Sequence, residues 1–93
     1  MIVRILGEGR FDVPEADLPV IEQLDEELLD AINRGDENEF TGALKDLIIQ
    51  VRHVGTPLPG EDIQPSELVV PHADSTLAEV RTLLAEEDPA GGA

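Results

Sequence analysis

The alternation of apolar and polar residues predicts two short strands at the start of the chain. Residues 2–6 form a β-branched run with one charge inside it, and residues 10–13 alternate between polar and apolar side chains. Gly7 and Gly9 between them accept the positive φ angles of a tight turn. A G-x-G sequence after a strand also occurs in phosphate-binding loops, but a helix follows it there, whereas a second strand is predicted here. The pattern therefore predicts a β-hairpin.

Apolar residues at helical spacing predict two helices after this hairpin. The first begins near Asp17, a favourable N-cap, and ends at Gly35; the second opens at Asp36 and runs to about Val54, with Glu39 completing a capping box. The predicted apolar faces are Leu18, Ile21, Leu24, Leu28 and Ile32 in the first helix and Phe40, Leu44, Leu47, Ile48 and Val51 in the second. Because the connection is so short, the two helices must fold back as an antiparallel helical hairpin.

Prolines and glycines divide the rest of the chain. Residues 55–67 contain three prolines and two glycines, which predicts an extended loop that connects elements without packing. Residues 68–70 are apolar and closed by a proline, which predicts a third strand, most simply beside the first. A final helix follows residues 74–76, where Thr76 and Glu79 have capping-box spacing. The predicted apolar face of this helix is Leu77, Val80, Leu83 and Leu84.

The resulting order is strand, strand, helix, helix, strand, helix. It predicts an α+β fold in which a three-stranded sheet carries the helical hairpin and the C-terminal helix on one face. The 93 residues suffice for one domain only. We expect this domain to span residues 1–88, followed by a disordered tail at 89–93.

The net charge narrows the choice of partners. The chain has 6 basic and 21 acidic residues, a formal charge of -15, which would repel phosphate backbones and anionic membrane surfaces. Residues 1–13 are neutral in sum, so the acidity belongs to the later segments. The chain has no cysteine, no apolar stretch long enough to span a bilayer and no signal-peptide pattern at its start. We expect a cytoplasmic protein that binds no nucleic acid and does not insert into the membrane.

Few residues suggest catalysis or metal binding. His53 and His72 are the only imidazoles, they have no metal-binding spacing, and a capping role or solvent exposure explains them. Ser66 and Ser75 lack a nucleophile elbow, and Ser75 is explained as part of a helix cap. We expect no catalytic site, no metal and no cofactor.

One charge pattern on the first helix has an energetic cost. Glu22, Glu26 and Asp30 follow one another at four-residue spacing, with Asp25 and Glu27 beside them. Each like-charge pair at that spacing destabilises a helix by about 0.2–0.5 kcal/mol. Only Arg34, four residues after Asp30, offsets the repulsion. The pattern has two interpretations, a solvated helix face in an acidic proteome or a docking stripe for a basic helix.

Several segments together resemble a known family, the PspA-associated proteins (PspAA). The resemblance covers residues 1–84 and is most specific in the proline-punctuated stretch 55–71. The segments that carry it are Met-Ile-Val-Arg-Ile-Leu-Gly-Glu-Gly-Arg-Phe at 1–11, Leu-Asp at 24–25, Gly-Thr-Pro-Leu-Pro at 55–59, Pro-Ser-Glu-Leu-Val-Val-Pro at 65–71, Ala-Asp at 73–74, Glu-Val-Arg at 79–81 and Leu-Leu at 83–84.

The resemblance implies a non-enzymatic accessory protein of the phage-shock, or envelope-stress, system. Members of the family are small acidic proteins commonly encoded beside a PspA-like protein, a long coiled coil that assembles on membranes. We therefore expect an adaptor that binds a PspA-like coiled coil, through the acidic positions Glu22, Asp25, Glu26 and Asp30 or through the loop Pro57-Leu58-Pro59. Such an adaptor would meet the membrane only through its partner.

Two other classes of function remain open. A nucleic-acid mimic would place its carboxylates in a strip and occupy the basic groove of a DNA-binding protein, and a small metal- or ligand-binding domain would use His53 or His72. The edges of the sheet could pair in a dimer, while the charge keeps copies apart. We expect a monomer or a weak homodimer.

Overall fold

A computed structural model of the chain describes residues 1–59 and 66–86. It confirms the α+β class and the predicted order of the helices. The elements are β1 (Ile2–Ile5), β2 (Gly9–Asp12), a single 3₁₀ turn (Glu15–Asp17), α1 (Leu18–Arg34), α2 (Glu37–Val54), β3 (Thr56–Pro57), β4 (Leu68–Val70) and α3 (Leu77–Glu86).

The strands form one mixed sheet in the order β3-β2-β1-β4. β1 pairs antiparallel with β2 through the hairpin turn, where Gly7 and Gly9 have φ angles of 86° and 114°. β4 lies parallel to β1, with Val3 opposite Leu68, so the predicted position of this strand beside the first one is confirmed. Two neighbouring parallel strands need a long crossover connection. Here α1 and α2 lie in the segment between β2 and β4.

The prediction of three strands is wrong, because the sheet has four strands within residues 1–59 and 66–86. Thr56 and Pro57, placed by the sequence in a connecting loop, pair antiparallel with Asp12 and Phe11 of β2. A proline lacks an N–H donor and is therefore tolerated only at the edge of a sheet, which is where β3 lies. The amide of Leu58 then donates to the carbonyl oxygen of Arg10 at 2.9 Å. Residues 60–65 of the same predicted loop lie outside the described residues.

The end of α2 is held close to β2, and this contact brings the chain into the sheet. A Cβ atom at Gly55 would lie 2.6 Å from the carbonyl oxygen of Val51 and 2.9 Å from the Cβ of Phe11. Both distances are shorter than real Cβ contacts, so only glycine fits between helix and strand. Gly55 thus ends α2 and starts β3 at the edge of the sheet.

The hydrophobic core lies between one face of the sheet and the three helices. Along β1 the side chains of Val3 and Ile5 are fully buried while Arg4 between them is exposed, as the period of a strand requires. The helical part of the core contains Ile21, Leu28, Ala31 and Ile32 of α1, Phe40, Leu44, Leu47, Ile48 and Val51 of α2, and Leu77 and Val80 of α3. The predicted apolar face of α2 is confirmed in full, and Leu18 and Leu24 of α1 pack against the core while half-buried.

The helix ends agree with the capping signals except at Asp17. A 3₁₀ turn precedes α1, so Asp17 has near-helical backbone angles and its side chain makes no capping hydrogen bond. Gly35 ends α1 with a φ angle of 70°, and the Asp36 carboxylate accepts a hydrogen bond from the Glu39 amide at 3.1 Å. Thr76 and Glu79 form the reciprocal capping box of α3, with distances of 3.1 and 3.3 Å. These bonds satisfy backbone donors that a helix start leaves without an intrahelical partner.

α3 is joined to the helical hairpin by two polar contacts. The Arg81 guanidinium donates to the carbonyl oxygen of Ile32 at 2.7 Å, near the C-terminus of α1, and the Glu37 carboxylate accepts from the Leu77 amide at 3.2 Å. A cation at a helix C-terminus is favourable, since unpaired carbonyl groups gather there. The predicted apolar side chains Leu83 and Leu84 and the predicted tail at 89–93 lie outside what the structure describes.

Candidate functional site

The acidic positions predicted as a docking stripe lie together on the outside of α1. We call Glu22, Asp25, Glu26 and Asp30 the acidic ridge. Glu22, Glu26 and Asp30 are exposed and follow one another along the helix, while Asp25 is half-buried on one flank. Since residues four apart share one side of a helix, the ridge presents one row of negative charge.

The surroundings of Asp25 within the ridge perturb its protonation. Partial burial raises the pKa of its carboxyl above the usual value, and the negative charge of Glu26 raises it further. Both causes act against the charged form. The fold thus leaves one carboxylate of the ridge in an environment that disfavours its charged form.

The ion pairs of the described residues do not neutralise the ridge. They join the Met1 ammonium to Asp12, Arg52 to Glu8, and Arg34 to Glu39. Arg34, which by spacing would offset Asp30, is instead paired with Glu39 of α2. None of these three pairs includes a carboxylate of α1.

The second predicted binding segment, Pro57-Leu58-Pro59, lies on a different element. Pro57 belongs to the edge strand β3, and both prolines are exposed. Leu58 is half-buried and its amide is bonded within the sheet. The structure therefore brings the four acidic residues together on α1 and places the prolines at the edge of the sheet.

The two histidines lie at exposed positions. His53 is in the last turn of α2, and the His72 Nδ1 atom accepts a hydrogen bond from the Asp74 amide at 3.2 Å. Among the described residues, no group of three or more histidine or acidic side chains could hold a metal ion. In the same part of the chain, no helix combines the length and the apolar character needed to cross a bilayer.

The structure also shows a groove that the sequence pattern did not reveal. It runs between α1 and α2 on their outer side, and we call it the outer groove. The described residues that line it are Glu27, Asp30 and Arg34 of α1 and Glu39, Gly42, Ala43 and Asp46 of α2. The seven-residue spacing of Glu27 and Arg34, and of Glu39 and Asp46, is the signal that places each pair on one side of its helix.

Comparison with known proteins identifies the family. The sequence model of the PspAA family, described as PspA-associated protein, matches residues 1–92. The chain belongs to the PspA-associated protein family. The predicted family resemblance is thereby confirmed over essentially the whole chain, and with it a role linked to PspA. No curated protein and no solved structure matches this PspA-associated chain significantly.

Proposed function

We propose that this PspA-associated protein is a non-enzymatic adaptor that binds a PspA coiled coil through the acidic ridge. Family membership supports the choice of partner. The observation that carries the choice of surface is the charge of α1, whose five carboxylates are left out of the three ion pairs described above.

The energetics of α1 favour a partner that supplies positive charge. Like charges at four-residue spacing destabilise the free helix, and Asp25 is further disfavoured by burial. Lysine or arginine side chains of a bound helix would offset the repulsion along α1 and favour the charged form of Asp25. Complementary charge of this kind raises the association rate and selects the partner. The adaptor would then act in the cytoplasm and reach the membrane only through PspA.

The direct test is binding of the purified chain to a PspA protein by isothermal titration calorimetry at low and at high salt. We expect binding at low salt that weakens as salt is raised, because exposed charges are screened. The triple variant Glu22→Gln, Glu26→Gln, Asp30→Asn should weaken binding about tenfold or more. No binding of the wild-type chain at low salt, with both proteins folded, would reject the adaptor role.

A matched control separates the ridge from overall charge. The variant Glu15→Gln, Glu67→Gln, Asp74→Asn removes the same amount of charge from exposed positions outside α1. It should bind PspA within about twofold of the wild-type chain if local complementarity decides the affinity. Equal losses in the two triple variants would show that net charge, and not the ridge, governs binding.

The exposed prolines offer a separate contact with the partner. Pro57→Ala and Pro59→Ala leave the charge unchanged, and Pro57 needs no N–H donor at its edge position. We expect these variants to retain the salt-dependent part of binding. A complete loss in the double variant, with the fold intact, would assign the contact to β3 instead of α1.

A further inference from the structure

The N-terminal half of α2 contains a glycine that the described contacts of this chain do not require. Gly42 is exposed, it has no positive φ angle, and a Cβ atom built on it would meet nothing within 4 Å. Glycine inside a helix is unfavourable compared with alanine. Gly42 does affect the outer groove. Because glycine has no side chain, nothing projects from this position of α2 into the groove.

The outer groove has the surface of a helix-binding site with a definite charge. Its bottom includes Ala43, which is half-buried and packs against the core. Its walls have four carboxylates and one base, a net charge of -3. The base, Arg34, is paired with Glu39 across the groove. Small residues at the bottom allow a backbone to approach closely, and the remaining walls attract positive charge.

An apolar side chain extends the same side of α1. Val20 lies seven residues before Glu27, and 48% of it is exposed. A heptad separation returns to nearly the same side of a helix. α2 has 18 residues and is therefore about 27 Å long, which matches about five turns of a second helix laid beside it. The occupant that fits is long, helical, and partly apolar as well as basic.

We infer that the outer groove binds one basic amphipathic helix of the partner, which would lie between α1 and α2 as a third helix. The inference rests on the proposed function for the identity of the partner, since a PspA coiled coil would supply that helix. The groove shares Asp30 with the acidic ridge and otherwise differs from it in binding face, because Glu27, Gly42 and Asp46 make the contact. A second copy of this chain would bring another strongly negative surface and does not complement the groove.

The test is to fill the groove without changing its charge. Gly42→Leu places a large side chain on the wall, Gly42→Ala a small one, and Thr41→Leu places the same leucine side chain at the neighbouring exposed position of α2 outside the groove lining. Two probes are used, a PspA protein and a fluorescein-labelled synthetic helix of about 18 residues with leucine at the a and d positions of its heptads and lysine elsewhere. Circular dichroism and thermal melting establish that each variant is folded.

Gly42→Leu should weaken binding of both probes about tenfold, while Gly42→Ala and Thr41→Leu stay within about twofold of wild type. The charge variant Glu27→Gln, Asp46→Asn should weaken binding about fivefold at low salt and less at high salt. Sedimentation of the chain without probe should give the same state for Gly42→Leu and wild type. A dimer that only Gly42→Leu dissociates would assign the groove to a second copy and overturn the inference.

The outcomes separate this inference from the adaptor role. If PspA binds Gly42→Leu as tightly as wild type but loses affinity for the ridge variant, the groove is not the binding face and the adaptor role stands. If PspA does not bind the wild-type chain while the synthetic helix binds with the expected variant pattern, the groove stands and the adaptor role fails. If Gly42→Leu and Thr41→Leu weaken binding equally, the effect is not specific to the groove and the inference fails.

Discussion

The two sides of α2 meet very different surroundings. At its C-terminal end, Gly55 packs closely against Phe11. Beside it, the Arg52 guanidinium donates two hydrogen bonds to the Glu8 carboxylate of the β-hairpin, with Nε to Oε1 at 2.7 Å. On its outer side, Gly42 has open space in front of it, and most of the neighbouring carboxylates belong to none of the three ion pairs found among the described residues. Two carboxyl groups show the same contrast. The hydrogen bond from Arg52 lowers the pKa of Glu8, while burial raises that of Asp25.

This difference separates a surface whose steric and charge contacts are made within the chain from one whose contacts are not made within the described residues. Where the end of α2 meets the β-hairpin, the close packing of Gly55 and the charge of Arg52 are satisfied within the chain. Substitutions there should therefore alter stability. On the outer side of the helical hairpin, the same kinds of group are not satisfied within the described residues, so changes there should preserve or raise stability and affect binding. The four predictions below test this division.

The largest effect is expected from Gly55→Ala. The added Cβ would meet the backbone oxygen of Val51 at 2.6 Å, and backbone cannot move aside as a flexible side chain can. We expect a loss of about 2 kcal/mol in the free energy of unfolding, in the range of other overpacked sites. Urea denaturation followed by circular dichroism measures it. A loss below about 0.5 kcal/mol in the free energy of unfolding would mean that the backbone around Gly55 adjusts to a Cβ atom at little cost.

The opposite sign is expected from Gly42→Ala. The new methyl group meets nothing within 4 Å, and alanine is the better helix former, so stability should rise by about 1 kcal/mol. The same urea experiment applies, with Gly55→Ala as its counterpart. A loss of stability would show that Gly42 has a structural role within the chain and would remove the contrast between the two glycines.

A smaller stabilisation is expected from Asp25→Asn. Because burial and the charge of Glu26 raise the pKa of Asp25, folding favours the protonated carboxyl, and this contribution to stability is lost as the pH rises through the raised pKa. The asparagine side chain carries no charge, so Asp25→Asn does not lose this stability at high pH. At pH 7 its Tm should therefore lie above that of the wild-type chain, by a smaller increase than the one expected for Gly42→Ala. The difference should vanish as the pH falls below the ordinary aspartate value of about 3.9. Melting curves between pH 3 and pH 7 measure it.

Glu26→Gln is the matched control for Asp25. It removes the neighbouring charge but leaves the burial, which is the larger cause of the raised pKa. Glu26→Gln also removes the like-charge pairs of Glu26 with Glu22 and Asp30, so the readout is the pKa of the Asp25 carboxyl, followed by NMR. This pKa should stay raised in Glu26→Gln, and a return to the ordinary aspartate value would mean that repulsion alone perturbs Asp25.

The smallest effect is expected from Glu8→Gln. The hydrogen bond from Arg52 lowers the pKa of Glu8, so its stabilising effect is present above the ordinary glutamate pKa and is lost as the pH falls through the lowered one. Arg52 is exposed, and exposed ion pairs contribute little. Tm should fall slightly at neutral pH and not at all near pH 2. A drop that persists at high salt would indicate a stronger contact than an exposed pair.

The local signals of the sequence predicted the helices and most of the sheet. Gly35 and the Asp36–Glu39 pair mark the turn between α1 and α2 so clearly that both helix ends follow from them. β3 was missed because its proline is a loop signal in the sequence, and it becomes strand only through its partner β2. Such pairing depends on contacts between distant residues, which no local pattern contains.

The candidate site was predictable in part for the same reason. The acidic ridge lies on one helix, so the spacing of Glu22, Glu26 and Asp30 was enough to find it. The outer groove depends on how two helices pack, and Glu27 and Asp46 come together only after that packing is known. Gly42 could have been found from its position alone, since a glycine in the middle of a predicted helix requires an explanation.

The position of β1 also has a consequence for the order of events during synthesis. β1 precedes the other described strands in the chain and is flanked on both sides in the finished sheet, yet one of its neighbours, β4, begins only at Leu68. Until that segment is synthesised, one edge of β1 has no strand beside it. This edge can then pair with another extended chain. Pairing across such a sequence separation is slow to form. The nascent protein is therefore most exposed to misassociation in the interval between completion of α2 and arrival of β4.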